Sequence, residues 1–323
     1  MLINFLKCHG TGNDFIMIDE INNNYNFNEE QRIKFTKEMC DRNGPFGGDG
    51  VLFIQNSEKC DAKMKILNSD GSEAEMCGNG LRCVGRYVTE LLNKNKVEIE
   101  TYKEKYIVKK SVDIFTGVKT IEICINTVRF ELNTLPMIFN NKSNLLFEKV
   151  EELDPSLEFT AVSISNPHIV SIMEKISTDT LVKIGKKANL PIAILPSGVN
   201  INFVEILDEN SIYVKTFERG VGLTKSCGTG MTASSVVVCV KYPERFGTET
   251  NVYNDGGMIK TIVTKDSSGK YSVQFTGNAT YMYKCEINFD FISTNQKYNA
   301  KKIMFDQEID SYDNFLKHIS EIL

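Results

Sequence analysis

The sequence predicts an α/β protein made of two similar halves, and three observations carry that expectation. Short strand-like runs alternate with a few helix-like segments along the chain. Cys77 in Met-Cys-Gly-Asn-Gly-Leu and Cys227 in Ser-Cys-Gly-Thr-Gly-Met occupy near-identical settings 150 residues apart. The tetrapeptides Asn68-Ser-Asp-Gly and Glu218-Arg-Gly-Val each begin nine residues before their cysteine. Recurrence at a shared register is what a duplicated unit leaves in a sequence, and 323 residues suit two domains more readily than one.

Leu2 to Leu6 and Phe15 to Asp19 read as strands around the turn His9-Gly10-Thr11-Gly12-Asn13. Asn28 is the expected N-cap of a first helix, because Gln31 three residues on completes a capping box, and the helix runs to about Asp41. The glycine-rich stretch Asn43 to Gly50 is a loop, followed by strands Val51 to Gln55 and Ala62 to Leu67. After Cys77, Leu81, Val84, Val88, Leu91 and Leu92 recur at helical spacing. Strands at Val97 to Tyr102, Lys105 to Lys109 and Lys119 to Ile125 close the first half, expected to span residues 1–125.

The second half, expected at 126–285, repeats the plan. A strand from Thr160 to Ile164 leads into the turn Ser165-Asn166-Pro167-His168. A helix from about Asp179 to Ala188 precedes Gly198-Val199-Asn200, then strands near Asn202 to Leu207 and Ile212 to Phe217. Ser235 to Val240 is β-branched enough to read as a strand. Its equivalence to the Leu81 segment and its apolarity on every side favour a buried central helix. From Ser311 onward, Tyr312, Phe315, Leu316, Ile319 and Leu323 predict a terminal helix, with 286–323 packing back onto the first half.

Charge and composition narrow the classes of function. A net charge of −5 with no Lys/Arg cluster argues against nucleic acid or an acidic membrane as the main partner. The opening Met-Leu-Ile-Asn-Phe-Leu-Lys lacks the long apolar core of a signal peptide, and the apolar run Val236 to Val240 is far too short to span a bilayer. A cytoplasmic protein is expected. Nine cysteines without a C-x-x-C fit a reducing compartment better than a disulfide framework. His9, His168 and His318 are scattered, so no metal site is expected.

Most of the thiols have no chemical role on this reading. Cys40, Cys124, Cys239 and Cys285 lie in apolar or alternating stretches, where cysteine behaves as a small buried hydrophobe. Cys8 and Cys83 are harder to place. Cys77 and Cys227 differ because each opens a helix, whose unpaired N–H groups and positive end favour a thiolate. Gly78, Gly80, Gly228 and Gly230 leave the backbone open to an anion. If the two segments face one another, the thiols flank one small anionic ligand and could exchange protons with opposite faces of a carbon.

Six ordered blocks then carry a resemblance: His9-Gly-Thr-Gly-Asn-Asp-Phe15, Asn68 to Gly80, Asn166-Pro-His168, Asn200, Glu218-Arg-Gly-Val-Gly222 and Cys227-Gly-Thr-Gly230. In order and over most of the chain they resemble the diaminopimelate epimerase family. The resemblance implies two pseudo-symmetric α/β (α+β) domains, each a mixed, largely antiparallel sheet wrapped around a central helix, with an active site between them. It implies an amino-acid epimerase without cofactor, interconverting LL- and meso-diaminopimelate for lysine and peptidoglycan supply. The expected partner is a small-molecule amino acid, with a homodimer as the expected assembly.

The residues suit that chemistry. No Lys stands in a context that suggests pyridoxal phosphate as an electron sink, so electrostatic preorganisation must stabilise the carbanion. Backbone N–H groups of Gly78, Asn79, Gly228 and Thr229 could hold the α-carboxylate at two helix N-termini. One cysteine would act as thiolate base and the other as thiol acid. By the resemblance, Asn13 and Glu218 lie at the reacting centre, Glu218 receiving the α-ammonium, and His168 supports one of the thiols. Asn68, Asn166, Asn200 and Arg219 correspond to residues holding the distal end, where the planar guanidinium suits a carboxylate.

Each assignment has a plainer alternative. Asn13, Asn68 and Asn200 sit in turn settings where asparagine is common. His168 could cap a strand, and Glu218 and Arg219 could be a solvated charge pair. Many family members have Gln at the position of Gly50, Glu at that of Leu223 and Ala-Cys at Met231-Thr232, which leaves room for another substrate. The alternative function is a sister two-thiol racemase acting on histidine, proline or hydroxyproline. The Asn68, Asn166, Asn200 and Arg219 set weighs against it, since such substrates would leave those groups unpaired. A binding protein, or an isomerase on this fold without the thiol pair, is opposed by the presence of both cysteines.

Overall fold

A computed structural model describes residues 1–74, 76–190, 192–292, 298 and 300–323. The chain divides into two compact units, one formed by Met1–Ile123 with Gly277–Leu323 and the other by Cys124–Thr276. The divisions thus fall two residues earlier than expected at the first crossing and nine earlier at the return. The return moves because the strand Thr280–Asn288 pairs antiparallel with Leu2–Gly10, a partnership between chain ends that local pattern does not carry.

In the first unit, Leu2–Gly10 pairs antiparallel with Asn13–Asp19, which runs parallel to Gly50–Gln55. Ala62–Asn68 follows antiparallel, Lys96–Glu100 parallel and Lys105–Lys110 antiparallel. One helix, α2 (Gly78–Leu91), packs against all six of these strands, so the sheet curls around it. The helix α1 (Glu29–Cys40) lies over Gly50–Gln55 and Ala62–Asn68. Its start is the expected capping box, with the Asn28 side chain taking the Gln31 N–H and the Gln31 side chain the Asn28 N–H. Phe35, Met39 and Cys40 of α1 join Ile3, Ile16, Phe53 and Ile287 in one apolar core.

The second unit repeats this connectivity. Asp154–Ile164 is antiparallel to Pro167–Met173, which runs parallel to Asn200–Asp208. Ser211–Glu218 is antiparallel to the latter, Glu249–Asn254 parallel to it, and Gly257–Lys265 closes antiparallel. The helix α3 (Thr178–Ala188) occupies the place of α1, and α4 (Gly228–Lys241) that of α2, packed against the same set of strands. Even a small feature recurs: Leu67 bridges Glu73 in the first unit, and Phe217 pairs with Leu223 in the second.

The β-branched stretch Ser235 to Val240 is helical, as its burial on every side requires. Hydroxyl residues fit within α4 because Thr232 and Ser235 donate to carbonyls four residues back, those of Gly228 and Met231. The terminal helix α5 (Asp306–Ile322) begins five residues before Ser311 and buries Tyr312, Phe315 and Ile319. Glu308 fastens its first turn to Arg86 of α2 with bonds of 2.6 and 2.7 Å. Among the described residues, no helix is long and apolar enough to cross a membrane.

Candidate active site

Cys77 is the N-cap of α2, in extended backbone, and its Sγ accepts the Gly80 N–H at 3.5 Å. A thiol here fills the place usually taken by Ser or Asp. Its neighbour is Asn13, delivered by a two-residue hairpin whose central residues, Thr11 and Gly12, have φ of 54° and 78°. The Asn13 Oδ1 lies 3.6 Å from Sγ and accepts from Asn79 Nδ2 at 3.2 Å. Asn13 Nδ2 donates to Asp49 at 2.6 Å, and Asp49 also takes the Asp14 N–H and a bond from Arg42. The Cys77 Sγ thus sits between a backbone donor, the Gly80 N–H, and an acceptor, the Asn13 Oδ1.

Gly78 and Asn79 are buried while Cys77 is half-buried. The Asn79 Oδ1 has no hydrogen-bond partner among the described residues. Asn68 stands apart from this group at the end of its strand, exposed, with its Nδ2 bonded to Ser72 at 3.0 Å. Gly50 is paired with Asn68, and a Cβ at Gly50 would lie 2.5 Å from the Leu67 carbonyl oxygen. A side chain at position 50 would require the Leu67 strand to move away.

Cys227 stands at the N-cap position of α4 with the same extended backbone, but among the described residues its Sγ makes no capping bond of the Cys77 kind, and it is only 6% exposed. Burial first, and then the Glu218 carboxylate, push its thiol well above the ordinary value, so it is protonated at neutral pH. Thr229 Oγ1 lies 3.6 Å from Sγ and accepts from Asn166 Nδ2 at 3.2 Å. The Asn166 Oδ1 lies 2.9 Å from His168 Nε2, and the His168 Nδ1 lies 3.1 Å from Asn202 Nδ2. His168 therefore reaches Cys227 through Asn166 and Thr229. Fully buried, its imidazole is pulled down to about 3, mainly by desolvation with the Arg219 charge adding to it.

Glu218 closes its strand half-buried and accepts from Thr224 Oγ1 at 2.6 Å. Asn200 is buried and its Oδ1 accepts the Arg219 N–H at 2.8 Å. The Arg219 side chain is exposed and donates to the Ser197 carbonyl at 3.1 Å. Within each unit the strand register makes these positions equivalent. Phe15 pairs with Gly50 and Gly50 with Asn68, as His168 pairs with Asn200 and Ile201 with Phe217, next to Glu218. Asn13 thereby matches Asn166, Asn68 matches Glu218, and Asn79 matches Thr229.

Three supporting groups carried no sequence signal. Arg82, on the second turn of α2, is fully buried, and desolvation draws its guanidinium down to about 10. Asn278 accepts the Thr11 N–H at 2.7 Å. Asn202, through its Oδ1, takes the Thr216 hydroxyl at 2.9 Å. Among the described residues, no three His, Cys, Asp or Glu side chains are grouped as metal ligands.

Comparison with known proteins assigns the chain. The sequence profile described as diaminopimelate epimerase matches residues 5–116 and 160–282. A diaminopimelate epimerase of Clostridium acetobutylicum is 55% identical over 98% of this chain and 94% of its own length. One from Listeria welshimeri is 36% identical over 98% of each. Among solved structures, a PhzF-family phenazine biosynthesis protein of Bacillus anthracis superposes with a TM-score of 0.66 at 18% identity, covering 90% of this chain and 100% of that one. A hydroxyproline epimerase of Agrobacterium vitis gives 0.60 at 12% identity, covering 91% and 93%. The last two establish the fold. The chain is an amino-acid epimerase, an enzyme of the isomerase class. It belongs to the diaminopimelate epimerase family.

Proposed function

We propose that this enzyme interconverts LL- and meso-2,6-diaminopimelate without a cofactor, Cys77 and Cys227 exchanging the roles of thiolate base and thiol acid at the α-carbon. The observation that carries the reading is the pair of cysteines, each at the N-cap position of a central helix whose first turn is Gly-x-Gly. The helix-start N–H groups of Gly78, Asn79, Gly228 and Thr229 suit the α-carboxylate as it gains enolate character. Glu218 suits the α-ammonium. Asn68, Asn166, Asn200 and the exposed Arg219 suit the distal amino-acid end. Burial holds Cys227 as a thiol, ready to donate a proton when Cys77 serves as the base, and the roles reverse with the other stereoisomer. Asn13 and His168 orient the two thiols, the latter through Asn166 and Thr229.

The reaction would serve lysine and peptidoglycan supply in the cytoplasm, a setting supported by nine free thiols. The test offers LL-diaminopimelate, histidine, proline and hydroxyproline separately in deuterated water, with α-proton loss followed by NMR. Exchange of LL-diaminopimelate with appearance of the meso isomer is expected. Exchange of one of the other amino acids alone would assign a sister racemase instead.

A further inference from the structure

The turn that delivers Asn13 to Cys77 is strained. Thr11, its first residue, is β-branched and fully buried, yet has φ of 54°, in the left-handed region such residues avoid. Conformations of this kind persist only where the surroundings over-determine them. Two groups do so here. Asn278 takes the Thr11 N–H at 2.7 Å, and the Arg82 guanidinium donates to Thr11 Oγ1 at 2.7 Å while its Nε holds the Asn278 carbonyl at 2.9 Å.

Arg82 therefore grips both the turn and the residue that braces it, from the helix that Cys77 caps. Its path is reserved: a Cβ at Gly10 would lie 2.8 Å from an Arg82 terminal nitrogen and 2.9 Å from the Asn79 carbonyl oxygen. On the far side of the turn, Asn13 Oδ1 meets Cys77 and Asn79. One side chain thus ties the helix start to the turn that faces it.

We propose that Arg82 is a positioning residue for Cys77, locking the Thr11–Gly12 turn so that Asn13 stays in register with the thiol and the helix start. The inference concerns placement of the Cys77 group, and rests on the proposed function only in taking Cys77 to be a reacting thiol. Loss of the lock lets the turn relax toward an unstrained conformation. Asn13 then leaves Cys77, while the Cys227 group, built wholly within the other unit, is undisturbed.

The test compares wild type, Arg82→Met and Thr11→Val, the last removing only the hydroxyl that Arg82 holds and keeping the branched shape. Iodoacetamide labelling of the intact enzyme is followed at Cys77 and Cys227 separately by peptide mass spectrometry. Both variants should change the Cys77 rate at least threefold and leave that of Cys227 within experimental error. Epimerisation should fall at least tenfold in kcat with KM within about twofold. If Arg82→Met does not fold, Thr11→Val still carries the test. Equal changes at both cysteines would mean general loosening, and an unchanged Cys77 rate in Thr11→Val would remove the positioning role. Because labelling needs no substrate, a wrong diaminopimelate assignment would leave this result standing.

Discussion

His168 Nε2 lies 2.9 Å from Asn166 Oδ1, and the carboxamide that faces its other nitrogen, Asn202 Nδ2, is 3.1 Å away. An amide NH2 can only donate, so Nδ1 accepts and Nε2 carries the proton. The neutral imidazole is thus fixed in one tautomer and passes its orientation to Asn166 and on to Thr229. A group whose proton affinity is drawn down to about 3 does not ionise near neutrality. The kcat/KM profile should show no inflection near pH 6.5, and the His168 ring resonances should stay constant from pH 5 to 8. A midpoint near 6.5 in either would restore His168 as an acid–base group.

Both thiols are needed if the proton leaves one face of the carbon and returns to the other. Cys77→Ala and Cys227→Ala should each lower kcat by about 10²–10⁴-fold, the usual contribution of a positioned acid or base. Circular dichroism should match wild type. Cys227 is buried, so its variant should also lose some stability, whereas half-buried Cys77 should cost less. A folded single variant with near-normal turnover would reject the two-base mechanism.

Arg219 is exposed, with one terminal nitrogen on the Ser197 carbonyl. Its side chain is therefore available to a ligand carboxylate in a way that buried Asn200 is not. Arg219→Lys keeps the charge and loses the fork. On the proposed role of Arg219 at the non-reacting distal end of diaminopimelate, the expected loss is about 1.5–3 kcal/mol, typical of a hydrogen bond to a charged group, and appears in KM. An unchanged KM with a lower Tm would make Arg219 structural.

What the sequence disclosed was whatever its local pattern determines. The Asn28–Gln31 box placed α1, and the shared register of Asn68 and Glu218 disclosed the repeat that the strand pairing displays. The thiol settings were legible because capping and open backbone are local. Arg82 and Arg86 were not legible, since two arginines on a helix read as a solvated face, and their burial depends on Asn278, Ala279 and Glu308 nearly 200 residues or more away. The helical spacing from Tyr312 to Leu323 disclosed the later turns of α5, where its buried residues Tyr312, Phe315 and Ile319 lie. Inside α5 the Ser311 hydroxyl donates to the Gln307 carbonyl at 2.7 Å, and the Glu308–Arg86 pair sets the earlier start.

The two buried imidazoles also make the fold less stable in acid. His9 is drawn down to about 4, chiefly by burial with Arg82 and Lys7 adding to it against Asp14, and His168 to about 3. Both folded-state values lie below the unfolded value near 6.5, so below that pH the unfolded chain binds more protons than the folded one. Stability is complete above about pH 6.5 and falls as pH drops toward 4 and 3, by up to about 1.4 kcal/mol per pH unit for each imidazole. Asp14, lowered to about 2 despite its burial by Arg42 and Lys7, adds to the loss only below its unfolded value near 3.8. Urea unfolding at pH 7.5 and pH 5 should show the drop in wild type and a shallower one in His168→Gln, which removes one proton from the linkage. Equal slopes in the two proteins would mean that His168 is charged in the fold, and the tautomer assigned to it would fall with that result.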